Sequence, residues 1–207
     1  MGLTRLQLIP KVRDRLSVTT DDAILTTAVL YNCINDGISA LADEYDWPWL
    51  TATDTVALTT GDNEYDLPDD FIRVHVADID GDELEYIEYS DFLRYRNVSS
   101  AQPRKFTIVG SSILVTPTPN TTYTLNLLYQ REDVVLSDDT DETYCPARRA
   151  NLLVTYAAIY AAVKVRDAAL MTTLEKLRSA DLERALSDIH RGTQGPSIQT
   201  RKDNWAS

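Results

Sequence analysis

The stretch from Pro146 to Val165, PARRANLLVTYAAIYAAVKV, constrains the chain more than any other, because past its first turn it is apolar on nearly every face. A helix without a polar side has to be buried. Pro146 suits a first helical position, where no amide hydrogen is needed. The acids Asp138, Asp139, Asp141 and Glu142 lie just upstream, where a helix N-terminus favours negative charge. The unbroken apolar run from Leu152 to Val163 is too short to cross a bilayer, so other parts of the chain must cover it. Two segments with helical periodicity are available, Asp21 to Asp46 and Ala168 to Ile189.

The flanking helices can be read in order. In LTRLQLIPKVRDRL, Leu6, Ile9, Val12 and Leu16 fall near one face, and Pro10 makes the helix short or kinked. Ser17 to Asp22 supplies a cap, with Thr19 and Asp22 in capping-box spacing. Ile24, Ala28, Tyr31, Ile34, Ile38, Leu41 and Tyr45 then recur at helical steps and form the natural cover for the apolar helix. Past Asp167, Leu170, Leu174, Leu177, Leu182, Leu186 and Ile189 keep the same spacing. From Arg191 the chain reads RGTQGPSIQTRKDNWAS, a composition that predicts no fixed structure in a lone monomer. Ile198 and Trp205 within it are either incidental or anchors for a partner.

Between the helices the period changes to two. Pro48 disfavours helix for the residue before it. Beyond it Val56 alternates with Leu58, Ile72 with Val74 and Val76, Phe106 with Ile108, and Ile113 with Val115. The clearest row is Tyr123, Leu125, Leu127 and Tyr129, with Thr122, Thr124, Asn126 and Gln130 on the opposite face. Turn signals at Gly61, Asp80-Gly81, Gly110 and Pro117 to Asn120 separate about six or seven strands, with a short helix from Ser90 to Tyr95. The expected fold class is therefore α+β: a helical bundle built from both chain ends, with an inserted antiparallel β-sandwich or barrel-like domain. The expected boundaries are 1–48 for the N-terminal helices, 49–137 for the β domain, 138–190 for the C-terminal helices and 191–207 for an extended tail.

Charge and motifs narrow the function. With 32 acidic against 20 basic residues the net charge is −12, which argues against gripping nucleic acid by phosphate neutralisation. Basic residues gather at the ends, with Arg5, Lys11, Arg13 and Arg15 at one and Arg191, Arg201 and Lys202 at the other, a pattern that suits docking on acidic partners. Cys33 and Cys145 have no metal-like spacing and no signal peptide ahead of them, and read as reduced thiols, Cys33 as core packing. Asp78, Asp80, Asp82 and Glu85 suggest part of a calcium loop, but Glu83 and Tyr89 stand where such a loop needs Gly and Glu, and an Asp-Gly hairpin explains the same residues. His75 and His190 have no ligand neighbours at useful spacing, and neither a nucleophile elbow nor a phosphate loop is present. Metal, cofactor and catalytic residues are accordingly all expected to be absent.

WPWL at Trp47 to Leu50, YDLPDDFIRV at Tyr65 to Val74, and QPRKFTIVGSSILVTPTPNTTYTLNLLY at Gln102 to Tyr129 succeed one another in an order that resembles head-to-tail adaptor proteins of tailed bacteriophages, the head-completion or tail-tubular-protein-A-like group. The acidic loop, the proline and the Ala-rich helix with Tyr156 and Tyr160 continue the likeness, which covers roughly Asp21 to Ile189. Gln102 and Phe106 stand where many relatives have glycine and tyrosine. The resemblance implies a structural protein of the virion, made in the bacterial host cytoplasm and without a membrane segment. It implies a homo-oligomeric ring of about twelve copies beneath the portal, with helices around a channel. On that resemblance genomic double-stranded DNA would pass through the channel without tight binding, and the ring would join the capsid to a tail, nozzle or further connector protein. The C-terminal tail would reach the portal through Arg191, Ile198, Arg201, Lys202 and Trp205, while Arg5, Arg13 and Arg15 form a candidate N-terminal interface. Two readings from other classes compete: a virion-associated peptidoglycan hydrolase, and a β-domain module that binds glycan or protein.

Overall fold

The computed structural model describes residues 2–18, 23–95 and 98–193. In chain order the helices are α1 (Arg5–Leu16), α2 (Thr27–Glu44), α3 (Tyr89–Tyr95), α4 (Ala150–Val165) and α5 (Ala168–Thr193). The strands are β1 (Thr51–Leu58), β2 (Glu64–Asp66), β3 (Phe71–Ile79), β4 (Asp82–Glu83), β5 (Glu85–Tyr86), β6 (Lys105–Val109), β7 (Ser112–Thr116) and β8 (Tyr123–Arg131). This is an α+β fold in two compact units: Met1–Ile38 with Leu136–Glu142 and Pro146–Ser207, and Ser39–Val135 with Thr143–Cys145.

The helical unit is assembled on α4, where Leu152 to Ala158 are seven consecutive buried residues. Burying Leu152, Leu153 and Val154 contributes about 1.5–3 kcal/mol each. The helix comes after a 3-10 turn, Ala147–Arg149, and ends at Arg166 in the left-handed region, whose backbone N–H caps the carbonyls of Ala162 and Val163. Near that end Tyr160 keeps 37 % of its surface exposed and Val163 keeps 49 %, so the described residues leave part of the helix open.

Three helices cover α4. Thr4 caps α1 in a reciprocal box with Gln7, and the helix continues through Pro10. Its buried face is Leu8, Ile9, Val12 and Leu16, so Leu6, expected inward, is exposed. Two residues before Leu8 is about 200° around a helix, which points Leu6 away once Leu8 is inside. Ser17 ends α1 in the left-handed region, with its backbone N–H on the carbonyls of Arg13 and Asp14, and so does not open the next helix. The expected capping residues Thr19 and Asp22 lie outside the described residues. Instead α2 begins at Thr27, where the Thr26 hydroxyl accepts from the Val29 N–H at 3.4 Å, and Ile24 and Ala28 are exposed. The buried stripe of α2 is Leu30, Cys33, Ile34, Ile38 and Leu41.

Gly37 on α2 sets its distance from α4. A Cβ there would stand 2.7 Å from the backbone N and 2.9 Å from the Cα of Ala157. A mid-helix glycine costs about 1 kcal/mol against alanine, and here the missing side chain lets two backbones meet. Ala157, Ala158, Ala161 and Ala162, all buried, keep α4 slender enough for close neighbours. Next to this crossing, Asn35 exchanges hydrogen bonds with the backbone of Leu136, donating at 3.2 Å and accepting at 3.0 Å. Those bonds tie the Leu136–Glu142 segment to α2.

The second unit holds two four-stranded sheets, ordered β1-β8-β3-β4 and β2-β7-β6-β5. Both contribute to one core, in which Leu58, Ile79, Leu125 and Leu127 of the first meet Phe106, Ile113 and Val115 of the second. Every pairing is antiparallel except β5 on β6, which is parallel, and β4 and β5 have only two residues each. On β8, Leu125, Leu127 and Tyr129 face the core as the alternation predicts, but Gln130, placed on the polar face, is only 2 % exposed. Its Oε1 lies 3.2 Å from His75 Nε2. The expected row Ile72, Val74, Val76 is broken because register shifts against β8 fall between Phe71 and Arg73 and between Val74 and Val76. Each bulge reverses the facing of the residues beyond it. Val74, Ala77 and Ile79 therefore oppose Tyr129, Leu127 and Leu125, while Ile72 is exposed. Trp47, fully buried, closes the start of the unit, stacked 4.5 Å from Trp49 and donating from Nε1 to the Leu41 carbonyl at 2.5 Å.

Two measurements test this packing. Gly37→Ala should lower unfolding free energy by about 1–3 kcal/mol in urea melts, the cost of overpacking, whereas Ser39→Ala on the exposed side of α2 should be neutral. Burial first, and then the 2.9 Å hydrogen bond to Asp70, push the Tyr129 phenol up from 10.0 to about 12. A folded-state value above the unfolded one means stability that is complete below pH 10 and lost as pH rises towards 12. Absorbance titration of Tyr129→Phe should lack one late-ionising phenol and show a smaller alkaline loss of stability.

Candidate assembly surfaces

The two cysteines and the acidic turn between β3 and β4 have structural roles. Burial pushes the Cys33 thiol up, which disfavours the reactive thiolate, and Cys145 is also buried. Asp80 and Gly81 both have positive φ in the turn between β3 and β4. Asp78 Oδ1 there accepts from the Gly81 N–H at 3.0 Å and from Asn126 Nδ2 at 2.8 Å, a hairpin clasp. Among the described residues no group of three or more His, Cys, Asp and Glu side chains could hold a metal ion, and the His190 side chain lies outside them.

The three N-terminal arginines are each engaged inside the helical unit. Arg5 donates to Asp139 Oδ1 from Nε at 3.2 Å and Nη2 at 2.8 Å, and its guanidinium sits 3.7 Å from the centre of the Tyr31 ring. The Tyr31 hydroxyl donates to the same oxygen at 2.8 Å. That hydroxyl first, and Arg5 second, hold the Asp139 carboxyl below its ordinary value. Backbone N–H groups of Asp138 and Ser137 do the same for Asp141, fixing the turn that presents Asp139. Arg13 donates from Nη2 to the Thr27 hydroxyl at 2.9 Å. Arg15 donates to the Thr155 hydroxyl at 2.6 Å and stands 3.9 Å from Asp181, so α1, α4 and α5 share one polar knot. The tail residues Ile198, Arg201, Lys202 and Trp205 lie outside the described residues. Arg191 belongs to α5 by its backbone, with its side chain likewise outside.

Sequence periodicity did not single out the surfaces that the fold leaves apolar and open. On the helical unit these are Tyr160 and Val163 of α4, one turn apart, with exposed Lys164 and Arg166 just after them. Among the described residues neither cation makes an ion pair. A groove of about 590 Å³ also runs beside α1, lined by Leu6, Ile9, Pro10, Arg13 and Tyr31. On the β unit, Tyr86 of β5 and Tyr89 and Leu93 of α3 are 51 %, 46 % and 46 % exposed. A second groove, about 540 Å³, runs along β3 from Phe71 to Ala77, the part of its edge that the short β4 leaves uncovered. One signal was available in the sequence: α4 has no polar face, so any flank its own chain fails to cover must be apolar.

Charge is divided unequally. The β unit carries 18 acidic and 6 basic residues and the helical unit 14 of each, so the whole net charge of −12 belongs to the β unit. The helical unit is neutral, and several of its ions are paired internally.

Truncating Arg15 to alanine should lower stability by about 1–3 kcal/mol, because the Thr155 hydroxyl loses its 2.6 Å donor and Asp181, 11 % exposed, loses a cation 3.9 Å away while keeping Thr155 and Arg184 beside it. Thermal melts of Arg15→Ala and Lys11→Ala, whose side chain is exposed, should differ accordingly.

No described helix is long and apolar enough to cross a membrane. No curated protein matches the chain. The model of one family, the SU10 adaptor protein, matches residues 3–205, and so includes every described helix and strand of both units. The sequence resemblance points the same way as that match, and the chain belongs to the SU10 adaptor protein family, consistent with a phage adaptor.

Proposed function

We propose that this adaptor works at the head-to-tail junction of a tailed phage, in the manner of head-completion or tail-tubular-A-like proteins. It forms a homo-oligomeric ring of about twelve copies under the portal, extends the DNA channel and joins the capsid to a tail, nozzle or next connector. The role is structural and non-enzymatic, and the site of action is the virion, after synthesis in the host cytoplasm. The observation that supports the reading is α4: an apolar helix on which Tyr160 and Val163 stay exposed among the described residues offers a face that a neighbour could cover. Helices from 1–48 and 138–190 form the scaffold, 49–137 the appended β domain, and 191–207 the segment that reaches the portal through Arg191, Ile198, Arg201, Lys202 and Trp205.

Duplex DNA would pass without being held. A neutral unit and an acidic one offer no net positive charge to displace phosphate counterions, whichever of them faces the duplex. At the N-terminal interface, Arg5, Arg13 and Arg15 would act by shaping the surface, since their guanidinium groups already have partners in their own unit. Reversing all three charges would therefore disturb folding before assembly, and is a poor probe of the ring.

The direct test mixes the purified chain with portal rings of the same phage and images the product. A closed collar of adaptor density on one face of the portal is the expected result. Portal rings that remain bare at saturating protein would refute the assignment.

A further inference from the structure

Two of the open apolar surfaces complement each other. The end of α4 is apolar and cationic: Tyr160, Val163 and Lys164 lie at i, i+3 and i+4 on one face, with Arg166 just beyond. The β5–α3 ridge is apolar and acidic. It bears Tyr86, Tyr89 and Leu93, and the Glu88 carboxylate between them is exposed, without a cation partner among the described residues. Ridge cations exist, but Lys105 is bound to Glu85 at 2.5 Å and Arg94 to Asp91 at 3.1 Å. Each surface is complete within its own unit.

We propose that the α4 end of one copy docks on the β5–α3 ridge of the next copy in the ring. This rests on the ring reading above and names the contact that builds it. Lys164 and Arg166 would face Glu88, while Tyr160 and Val163 pack on Tyr89 and Leu93. Such a contact joins different patches of identical chains, and a head-to-tail contact of this kind closes into a ring when its rotation permits. Exposed tyrosines beside a charged rim have the composition of interface hot spots, and Leu93 adds apolar area to them. Duplex DNA cannot be the occupant of the ridge, because the unit that carries it holds all the net negative charge. A second copy offers apolar surface and positive charge in the same patch.

Charge exchange tests the pairing. Lys164→Glu and Glu88→Lys, both at exposed positions, should leave thermal melts unchanged while each weakens collar formation on portal rings about tenfold or more. The double variant Lys164→Glu/Glu88→Lys should recover most of the loss. Val163→Asp and Leu93→Asp give an independent arm: neither should form collars alone. Mixed in concentrated solution without portal, they should yield pairs that grow no further, since only one working junction remains between them.

Collars of wild-type yield from every single variant would overturn the docking and leave the adaptor assignment intact, as would losses that the double variant fails to restore. If the wild-type chain forms no collar at all, the adaptor assignment falls. Docking is then judged by sedimentation of the concentrated protein: dependence of self-association on the charge swap would keep it, and indifference would end it.

Discussion

The burial of α4 organises the helical unit. Seven consecutive residues, Leu152 to Ala158, have no wet side, so neighbours must approach from every direction at once. That demand explains the alanines, which bring helix axes close, and the glycine at position 37, which brings α2 into backbone contact at Ala157. It also explains why the Thr155 hydroxyl on the helix is so fully engaged. Thr155 on α4 lies within hydrogen-bond distance of the Asn151 carbonyl and of Asp181, while accepting from Arg15. A hydroxyl in such a place needs partners, since an unpaired buried polar group costs more than the bond it would make.

Much of this architecture is legible in the order of residues alone. The change from helical to two-residue periodicity near Trp49, the core row of β8 and the short α3 all come from pattern. The features that escaped pattern were governed by local backbone chemistry. The bulges in β3 leave no mark on the run Ile72-Arg73-Val74-His75-Val76, and each one reverses which side chains face inward. The start of α2 was displaced because Ser17 spends its backbone N–H ending α1, and Thr26 caps the next helix. Gln130 falls on the polar face of the alternation, yet it sits inside, with Oε1 against His75 and Nε2 without a partner among the described residues.

The assembly surfaces were legible only in part. Runs of arginine at the N-terminus suggested free cations, but a charge in a sequence does not disclose its partner. Asp139 is 134 positions from Arg5, and Asp181 is 166 from Arg15. Tyr160 and Val163 failed to stand out for the opposite reason: inside a uniformly apolar helix, the residues that stay exposed look like those that do not. Only the amount of cover supplied by α1, α2 and α5 separates them. The family match and the fold thus carry different information. One speaks to what kind of protein this is, the other to which apolar side chains stay exposed among the described residues.

The uneven division of charge has a consequence for solution conditions. In the proposed ring the copies, each with 18 acids against 6 bases in its β unit and a neutral helical unit, would repel one another. The electrostatic work of closing the ring grows with each copy and shrinks as the Debye length falls from about 10 Å at 0.1 M salt to about 3 Å at 1 M. Ring closure would then take up cations from the medium, the reverse of the ion release that accompanies proteins binding DNA. Cations of the surrounding medium would then be a silent component of such a collar.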